Sequence, residues 1–219
     1  MGETRTMRVA VLASGGGTNL QALLDACHPP EPASIALVAS DKSTAGALAR
    51  AEAAGVPTHV ITDPTDGKAI VDALRDAAVD LVVLAGYLRL VPADVVRAYD
   101  GRMINIHPAL LPAFGGPGMY GIRVHRAVLQ AGATVSGVTV HLVNEEFDKG
   151  IPLAQWPVPV NEGDGPETLA ARALEVEHQL LPAVVLAAAR HGKPVRLTSP
   201  MKAFAGADAP DLDKTLQGP

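Results

Sequence analysis

The chain has 219 residues, 48% of them hydrophobic, and a formal net charge of −5 at pH 7. This length suits one domain with a well-buried core, and the acidic balance, without a Lys/Arg cluster, argues against nucleic acid as a partner. The single cysteine, Cys27, excludes an internal disulfide bond and is typical of a reducing compartment, so we expect a cytoplasmic protein. The sequence contains no signal peptide or membrane span, so no membrane partner is expected.

The first predicted unit is a strand, a glycine-rich turn and a helix. Residues 8–13 form a continuous apolar run, residues 14–19 contain three successive glycines, and residues 20–24 read as a helix. Backbone N–H groups at such a helix start favour phosphate. A dinucleotide fingerprint would need a third spaced glycine where Leu20 stands, and no Walker sequence follows, so a monophosphate is the better expectation. The alternative is a tight turn that merely needs small residues.

The following segments alternate between strand and helix. Strands are predicted at 34–39, 56–61 and 79–85, and helices at 44–54 and 66–78. This alternation predicts an α/β fold with a doubly wound, mostly parallel, Rossmann-like sheet. Strands at 134–143 and 151–160 are expected to pair antiparallel at the sheet edge, where Pro157 and Pro159 fit. A long helix is predicted at 164–190, disturbed near Pro182.

A short buried strand at 103–107 carries the main candidate for catalysis. Pro108 ends the strand because it has no N–H to donate. Asn105 and His107 are two residues apart, so they project from the same face. An amide can donate to a developing oxyanion, and an imidazole can move protons near neutral pH. The alternative is a satisfied core histidine beside a turn-forming asparagine.

A second candidate lies in the loop after the strand at 137–143. Asp148 follows Phe147 and precedes a turn. A carboxylate near His107 would favour the imidazolium and raise its pKa, whereas the alternative is a solvated loop acid. His125 and His141 are expected to lie outside the site, on a helix surface and on a strand.

These segments together resemble the folate-dependent formyltransferases. The resemblance rests on Asn-Ile-His-Pro-x-Leu-Leu-Pro at 105–112, Gly-Val-Thr-Val-His at 137–141 and the loop ending in Asp148, and it extends over residues 8–190. It implies one formyltransferase domain at 1–197, with a phosphoribosyl-substrate part at 8–100 and a catalytic and folate-binding part at 101–197. Residues 198–219, rich in Pro, Ala and Asp, are expected to form a loosely held tail.

The resemblance also implies a reaction and a set of site residues. The formyl group of 10-formyltetrahydrofolate would pass to the amine of glycinamide ribonucleotide in purine synthesis. Asn105 and a protonated His107 would stabilise the oxyanion, and Asp148 would hold His107 charged while a water shuttles protons. The substrate phosphate would lie at Gly17, Thr18 and Asn19, and the ribose hydroxyls at Glu177, which could otherwise be an exposed helical acid. Folate contacts are implied for Leu88, Arg89, Leu90, Val91, Asn105, Asn144, Glu145, Glu146, Phe147 and Asp148.

Several alternatives stay open at this point. Residues 88–91 could simply lead into a helix at Pro92, and the glycine-rich segment 113–121, longer than in many relatives, either closes over the reacting amine or only lengthens a connection. A formyltetrahydrofolate hydrolase would carry an additional N-terminal domain, and a methionyl-tRNA formyltransferase a C-terminal RNA-binding domain; we expect neither. A non-catalytic nucleotide-binding module would need only the glycine loop. No residues have metal-ligand spacing, so small molecules without a metal are the expected partners of a monomer or homodimer.

Overall fold

A computed structural model of the chain describes residues 5–197, so the predicted tail lies outside the described residues. The strands are β1 Met7–Leu12, β2 Ala33–Ser40, β3 Thr58–Val60, β4 Leu81–Leu84, β5 Met103–His107, β6 Val135–Leu142 and β7 Pro152–Pro159. The helices are α1 Thr18–Ala26, α2 Gly46–Ala53, α3 Gly67–Asp76, α4 Ala93–Ala98, α5 Ile122–Gln130 and α6 Pro166–His191.

The strands form one sheet in the order β3-β2-β1-β4-β5-β6-β7. The first five are parallel to one another, and β6 and β7 are antiparallel at the C-terminal edge. This confirms the predicted doubly wound, mostly parallel sheet with an antiparallel edge. The strand order reverses between β1 and β4, and ligands of such sheets bind in the crevice at the carboxyl ends of the strands beside that switch point.

Helices cover both faces of the sheet. Along β1, Val9 and Val11 pack in one core with α1, α2 and α6, while Ala10 and Leu12 pack in the other with α3 and α4. A strand buried on both faces needs apolar residues at every position, which explains the continuous hydrophobic runs in the sequence.

The long C-terminal helix differs from the prediction at Pro182. Helix α6 runs without a break from Pro166 to His191, with Pro182 inside it. A proline removes only one backbone N–H, and Leu180, Leu181 and Val184 are buried on both sides of it. Packing against the sheet thus holds the helix together. Within residues 5–197, no helix is both long and apolar enough to span a membrane.

The expectation that His125 lies on a helix surface was wrong, since it is only 3% exposed. On the nine-residue helix α5 it lies between Val124 and Val128, which form the inward-facing stripe. Burial lowers the pKa of His125, and the neighbouring His107 lowers it further.

This buried histidine makes folding sensitive to acid. Below about pH 6.5 the unfolded chain binds a proton at this position that the folded chain resists, so the free energy of unfolding falls as the pH falls. We expect His125→Gln to flatten this dependence between pH 7.5 and 5.5, without abolishing it because burial also lowers the pKa of His107 and His178. Urea unfolding of both proteins across that range measures the effect, and identical pH dependence would contradict it.

Candidate active site

The side chain of Asp148 lies at the centre of the candidate site. The residue follows β6, and its side chain is 9% exposed. Its backbone φ is positive, 55°, a conformation that Asp tolerates better than most residues. Oδ2 accepts a hydrogen bond from the backbone N–H of Gly116 at 2.9 Å, and Oδ1 accepts one from Asn105 Nδ2 at 3.3 Å. The carboxylate therefore joins β5 to the glycine-rich segment.

Asn105 and His107 both reach Asp148 from β5, which confirms that they share a face. His107 is 3% exposed, and its Nδ1 lies 3.6 Å from Asp148 Oδ2. Its Nε2 lies 2.9 Å from the carbonyl oxygen of Phe114. Because a carbonyl only accepts, Nε2 carries a hydrogen and Nδ1, the nitrogen towards Asp148, is the one that gains or loses a proton.

Burial and the neighbouring charges act in opposite directions on the pKa of His107. Burial lowers its pKa, and the opposing effects of Asp148 and the Phe114 carbonyl do not overcome it; His141 lowers it further. The effect of Asp148 on the pKa of His107 has the predicted direction, and the protonated His107 of the catalytic step stays a prediction. At Asp148, burial raises the pKa, yet the imidazoles of His141 and His107 and the Gly116 N–H outweigh burial and hold it below its usual range. The free site therefore pairs an ionised carboxylate with a neutral imidazole near pH 7.

His141 belongs to the same cluster, although we expected it to lie outside the site. It lies opposite Asn105 in the β5–β6 register, and its Nε2 accepts a hydrogen bond from Asn105 Nδ2 at 3.0 Å. Its Nδ1 lies 2.8 Å from the carbonyl oxygen of Leu142, to which it donates. Both amide hydrogens of Asn105 thus point at fixed acceptors, one on His141 and one on Asp148. The motif at 137–141 ends in His141, but only the strand register shows that it lies opposite Asn105.

A cleft of about 170 Å³ opens beside this cluster. The loop after β4 supplies one wall, with Leu88 and Leu90 42% and 49% exposed. Two large apolar side chains exposed within a cleft are typical of a ligand surface. The cleft is lined by Leu88, Arg89, Leu90, Val91, Asn105, His107, Gly116, Met119, Tyr120, His141, Asn144, Glu146, Phe147 and Asp148.

The cleft decides one of the open alternatives in the sequence, the position of residues 88–91. Pro92 does precede a helix, since it is the N-cap of α4, but residues 88–91 lie before the helix and line the cleft. Met119 and Tyr120 of the glycine-rich segment also line it. Among the ten positions implied for folate, Glu145 lies apart, because its Oε1 accepts a hydrogen bond from Arg97 Nη1 at 3.0 Å on the exposed surface.

The glycine loop after β1 forms a second candidate subsite with α6. Gly17 has a φ of +75° and is the N-cap of α1, followed by the exposed Thr18. Asn19 is buried and its Nδ2 donates to Glu177 Oε2 at 2.5 Å. Glu177 is only 9% exposed, so the alternative of an exposed helical acid was wrong. Burial raises its pKa, against the opposing hydrogen bond from Asn19.

One polar atom in this subsite lacks a partner. Asn19 Oδ1 is buried without a hydrogen bond in the described part of the chain. A buried, unsatisfied acceptor costs free energy, so a donor that reaches it from outside the protein would be bound favourably. Ribose hydroxyl groups are donors of this kind.

A larger cavity lies elsewhere in the described residues, an open groove of about 990 Å³ between α1 and α6. It shares Thr18 with the glycine loop but contains no member of the Asp148 cluster. We place the chemistry in the smaller cleft, because the carboxylate, amide and imidazoles meet there. Within residues 5–197, no group of His, Cys, Asp and Glu is arranged to hold a metal ion.

Comparison with known proteins identifies the family. Residues 7–185, more than half of the chain, match the family model described as formyl transferase. The chain belongs to the formyl transferase family. This confirms the resemblance to formyltransferases that the sequence motifs indicated.

Named relatives and solved structures agree with this assignment. The chain is 46% identical over 191 residues to "Phosphoribosylglycinamide formyltransferase, chloroplastic" of Arabidopsis thaliana, an alignment covering 84% of this chain and 65% of that protein. It is 40% identical over 185 residues to phosphoribosylglycinamide formyltransferase of Haemophilus influenzae, covering 81% and 85%. The crystal structure of phosphoribosylglycinamide formyltransferase from Brucella melitensis matches with a TM-score of 0.76 and 45% identity, covering 84% and 96%. The chain thus spans less than two thirds of the plant relative's length.

The position of the Asp148 loop depends on Gly150. A Cβ added at Gly150 would lie 1.6 Å from the backbone oxygen of Leu142, whereas one added at Gly165 would meet only Glu167 Oε2, at 3.6 Å. We expect Gly150→Ala to lower the free energy of unfolding by at least about 2 kcal/mol, since backbone must move. Gly165→Ala is the matched control and should change it much less. Denaturant unfolding measures both, and equal stabilities would contradict this packing.

Proposed function

We propose that this chain transfers the formyl group of 10-formyltetrahydrofolate to the amine of glycinamide ribonucleotide, a step of purine synthesis. The observation that carries the proposal is the buried Asp148 carboxylate, which brings Asn105, His107 and His141 together at one end of an apolar cleft. The printed names of the relatives and solved structures support the same reaction. A cytoplasmic location, and a monomer or homodimer, stay predictions.

The chemistry begins with attack of the substrate amine on the formyl carbon. A carbon–nitrogen bond forms and the formyl oxygen becomes an oxyanion. Asn105 Nδ2 then gives up its hydrogen bond to either His141 or Asp148 and donates to the oxyanion instead. Neutral His107 takes the proton that the attacking nitrogen releases, through a water molecule. Asp148 and the oxyanion both stabilise the imidazolium that results, so the stabilisation grows as the reaction proceeds. The proton then passes to the folate nitrogen as its bond to the formyl carbon breaks.

The cleft would hold the folate. Leu88, Leu90 and Phe147 offer an apolar surface to a flat heterocycle, and loop backbone groups offer hydrogen bonds. We therefore propose Arg89, Val91, Asn144 and Glu146 as further folate contacts, and leave out Glu145 because it pairs with Arg97.

The glycine loop would hold the nucleotide. The N-terminus of α1 offers backbone N–H groups to the phosphate at Gly17, Thr18 and Asn19. Arg50 places a cation beside the loop, since its Nε donates to the Gly16 carbonyl oxygen at 2.8 Å. Asn19 Oδ1 and Glu177 would accept hydrogen bonds from the ribose hydroxyls.

A formyl-transfer assay with the purified protein tests this proposal against its alternatives. Labelled 10-formyltetrahydrofolate should lose its formyl group only when glycinamide ribonucleotide is present, and the label should appear on the nucleotide. Release of labelled formate without the nucleotide would instead indicate a hydrolase. No turnover with retained nucleotide binding would indicate a binding module.

Removing the charge of Asp148 tests the proposed catalytic group. We expect Asp148→Asn to lower kcat about 100-fold, with smaller changes in both KM values, because the imidazolium loses its counter-charge. Asn105→Ala should also act mainly on kcat. The double variant His107→Ala/Asp148→Asn should be little worse than His107→Ala alone, since the two act as a unit. Asp63→Asn, in an exposed loop, is the control; near-normal kcat for Asp148→Asn, or additive losses, would refute these roles.

The phosphate loop needs a variant that spares the protein's own packing. Gly17 is unsuitable, because a Cβ there would lie 2.7 Å from the Cα of Ala47, whereas nothing lies within 4 Å of one added at Gly16. We expect Gly16→Val to weaken nucleotide binding at least about tenfold by blocking close approach to the backbone, with folate binding unchanged. Calorimetric titration with each ligand decides, and an equal loss for both would point to misfolding.

A further inference from the structure

A buried hydrogen-bond network lies behind the apolar wall of the cleft. Ser14 follows β1 and Asp41 follows β2, so both stand at the carboxyl ends of strands beside the switch point. Ser14 Oγ donates to Asp41 Oδ1 at 2.6 Å, and Arg89 Nε donates to Asp41 Oδ2 at 2.9 Å. The Asp41 side chain is 1% exposed and that of Arg89 is 58% exposed, so a buried carboxylate is paired with a guanidinium that faces the solvent.

The network fixes the 86–91 loop, which carries the wall. The backbone N–H of Ser14 donates to the carbonyl oxygen of Gly86 at 3.0 Å, and the N–H of Leu88 donates to Ser14 Oγ at 3.0 Å. Arg89 adds the third tether through Asp41. Tyr87 and Val91 anchor this loop in the core, whereas Leu88 and Leu90 between them are 42% and 49% exposed. Because packing fixes these two leucines less firmly, the hydrogen bonds from behind help to set the backbone that carries them.

The chemistry of the network requires a carboxylate at position 41. A serine hydroxyl has one hydrogen, which Ser14 donates to Asp41 in a hydrogen bond. The lone pairs of Ser14 Oγ are then free to accept the N–H of Leu88. Asp41 also accepts from Arg89, so both carboxylate oxygens face donors. An asparagine would offer one acceptor oxygen and would turn an NH₂ group towards Ser14 or Arg89. Burial raises the pKa of Asp41, but the hydrogen bonds from Ser14 and Arg89 hold it below its usual range.

We propose that Asp41 and Ser14 are positioning residues for the folate: they set the 86–91 loop so that its apolar wall is formed before the ligand arrives. This inference rests on the proposed function, because it assigns the wall to the folate. A preformed wall avoids the cost of ordering a loop on binding. The network should therefore govern folate affinity and leave the nucleotide subsite and the chemical step alone.

The test combines Asp41→Asn and Ser14→Ala with Asp164→Asn as matched control. Asp164 also forms a close pair with an arginine, Arg172, at 2.8 and 2.9 Å, and its side chain is 6% exposed, but it does not line the cleft. We expect Asp41→Asn and Ser14→Ala each to raise the folate KM about tenfold, as for losing one hydrogen bond to a charged group. The nucleotide KM and kcat should stay within about twofold. Ser14→Ala keeps the Asp41–Arg89 ion pair, so it tests the proposal independently if the Asp41→Asn variant does not fold.

Amide hydrogen exchange supplies a readout that does not depend on the reaction. The Leu88 amide should exchange faster in both variants and at the wild-type rate in Asp164→Asn. A folate KM within twofold of wild type together with unchanged exchange would overturn the positioning role, as would parallel rises in both KM values. If the wild-type protein transfers formyl groups and the variants behave like it, only this inference fails; if the wild type neither binds nor uses 10-formyltetrahydrofolate, the proposed function fails with it.

Discussion

The candidate site depends on one buried charge, the carboxylate of Asp148. An ion in the protein interior is tolerated only when its surroundings compensate for the lost water. Here an amide from β5 and a backbone N–H from the glycine-rich segment donate hydrogen bonds to it, and two imidazoles lie 3.6 Å away. The hydrogen bond from Asn105 that helps to satisfy the charge also holds the amide in the site, and the Phe114 carbonyl orients His107 beside it. Hydrogen bonding at Asp148 therefore both offsets the cost of burying the charge and helps to set the geometry of the candidate catalytic groups.

The other parts of the site repeat this arrangement. Glu177 lies behind the glycine loop and holds Asn19, and Asp41 lies behind the 86–91 loop and holds Ser14 and Arg89. Each carboxylate lies behind, or in, a loop that borders the candidate site and accepts hydrogen bonds that help to set the shape of that loop. The sheet places all three loops because its strand order reverses between β1 and β4, which opens a crevice at the strand ends.

Much of this arrangement follows from local sequence patterns, and the misses have definite physical causes. Apolar runs and helical spacing predicted the elements, and the two-residue spacing of Asn105 and His107 predicted their common face. His141 was missed because its place opposite Asn105 is set by the pairing of two distant strands. Pro182 did not disturb α6 because tertiary packing outweighs one missing hydrogen bond. The lowered pKa of His107 could not be predicted, because the pattern shows its partner, Asp148, but not how deeply the imidazole is buried.

The central claim is that Asp148 supports a proton on His107 against the effect of burial, and the pKa of His107 measured by NMR tests it most directly. The chain has seven histidines, so a His107→Gln spectrum would assign the signal. The account predicts a pKa below the ordinary value near 6.5 in the free protein, and a lower one still in Asp148→Asn, where burial acts without the opposing charge. A pKa in Asp148→Asn equal to or above that of the wild type would contradict the account.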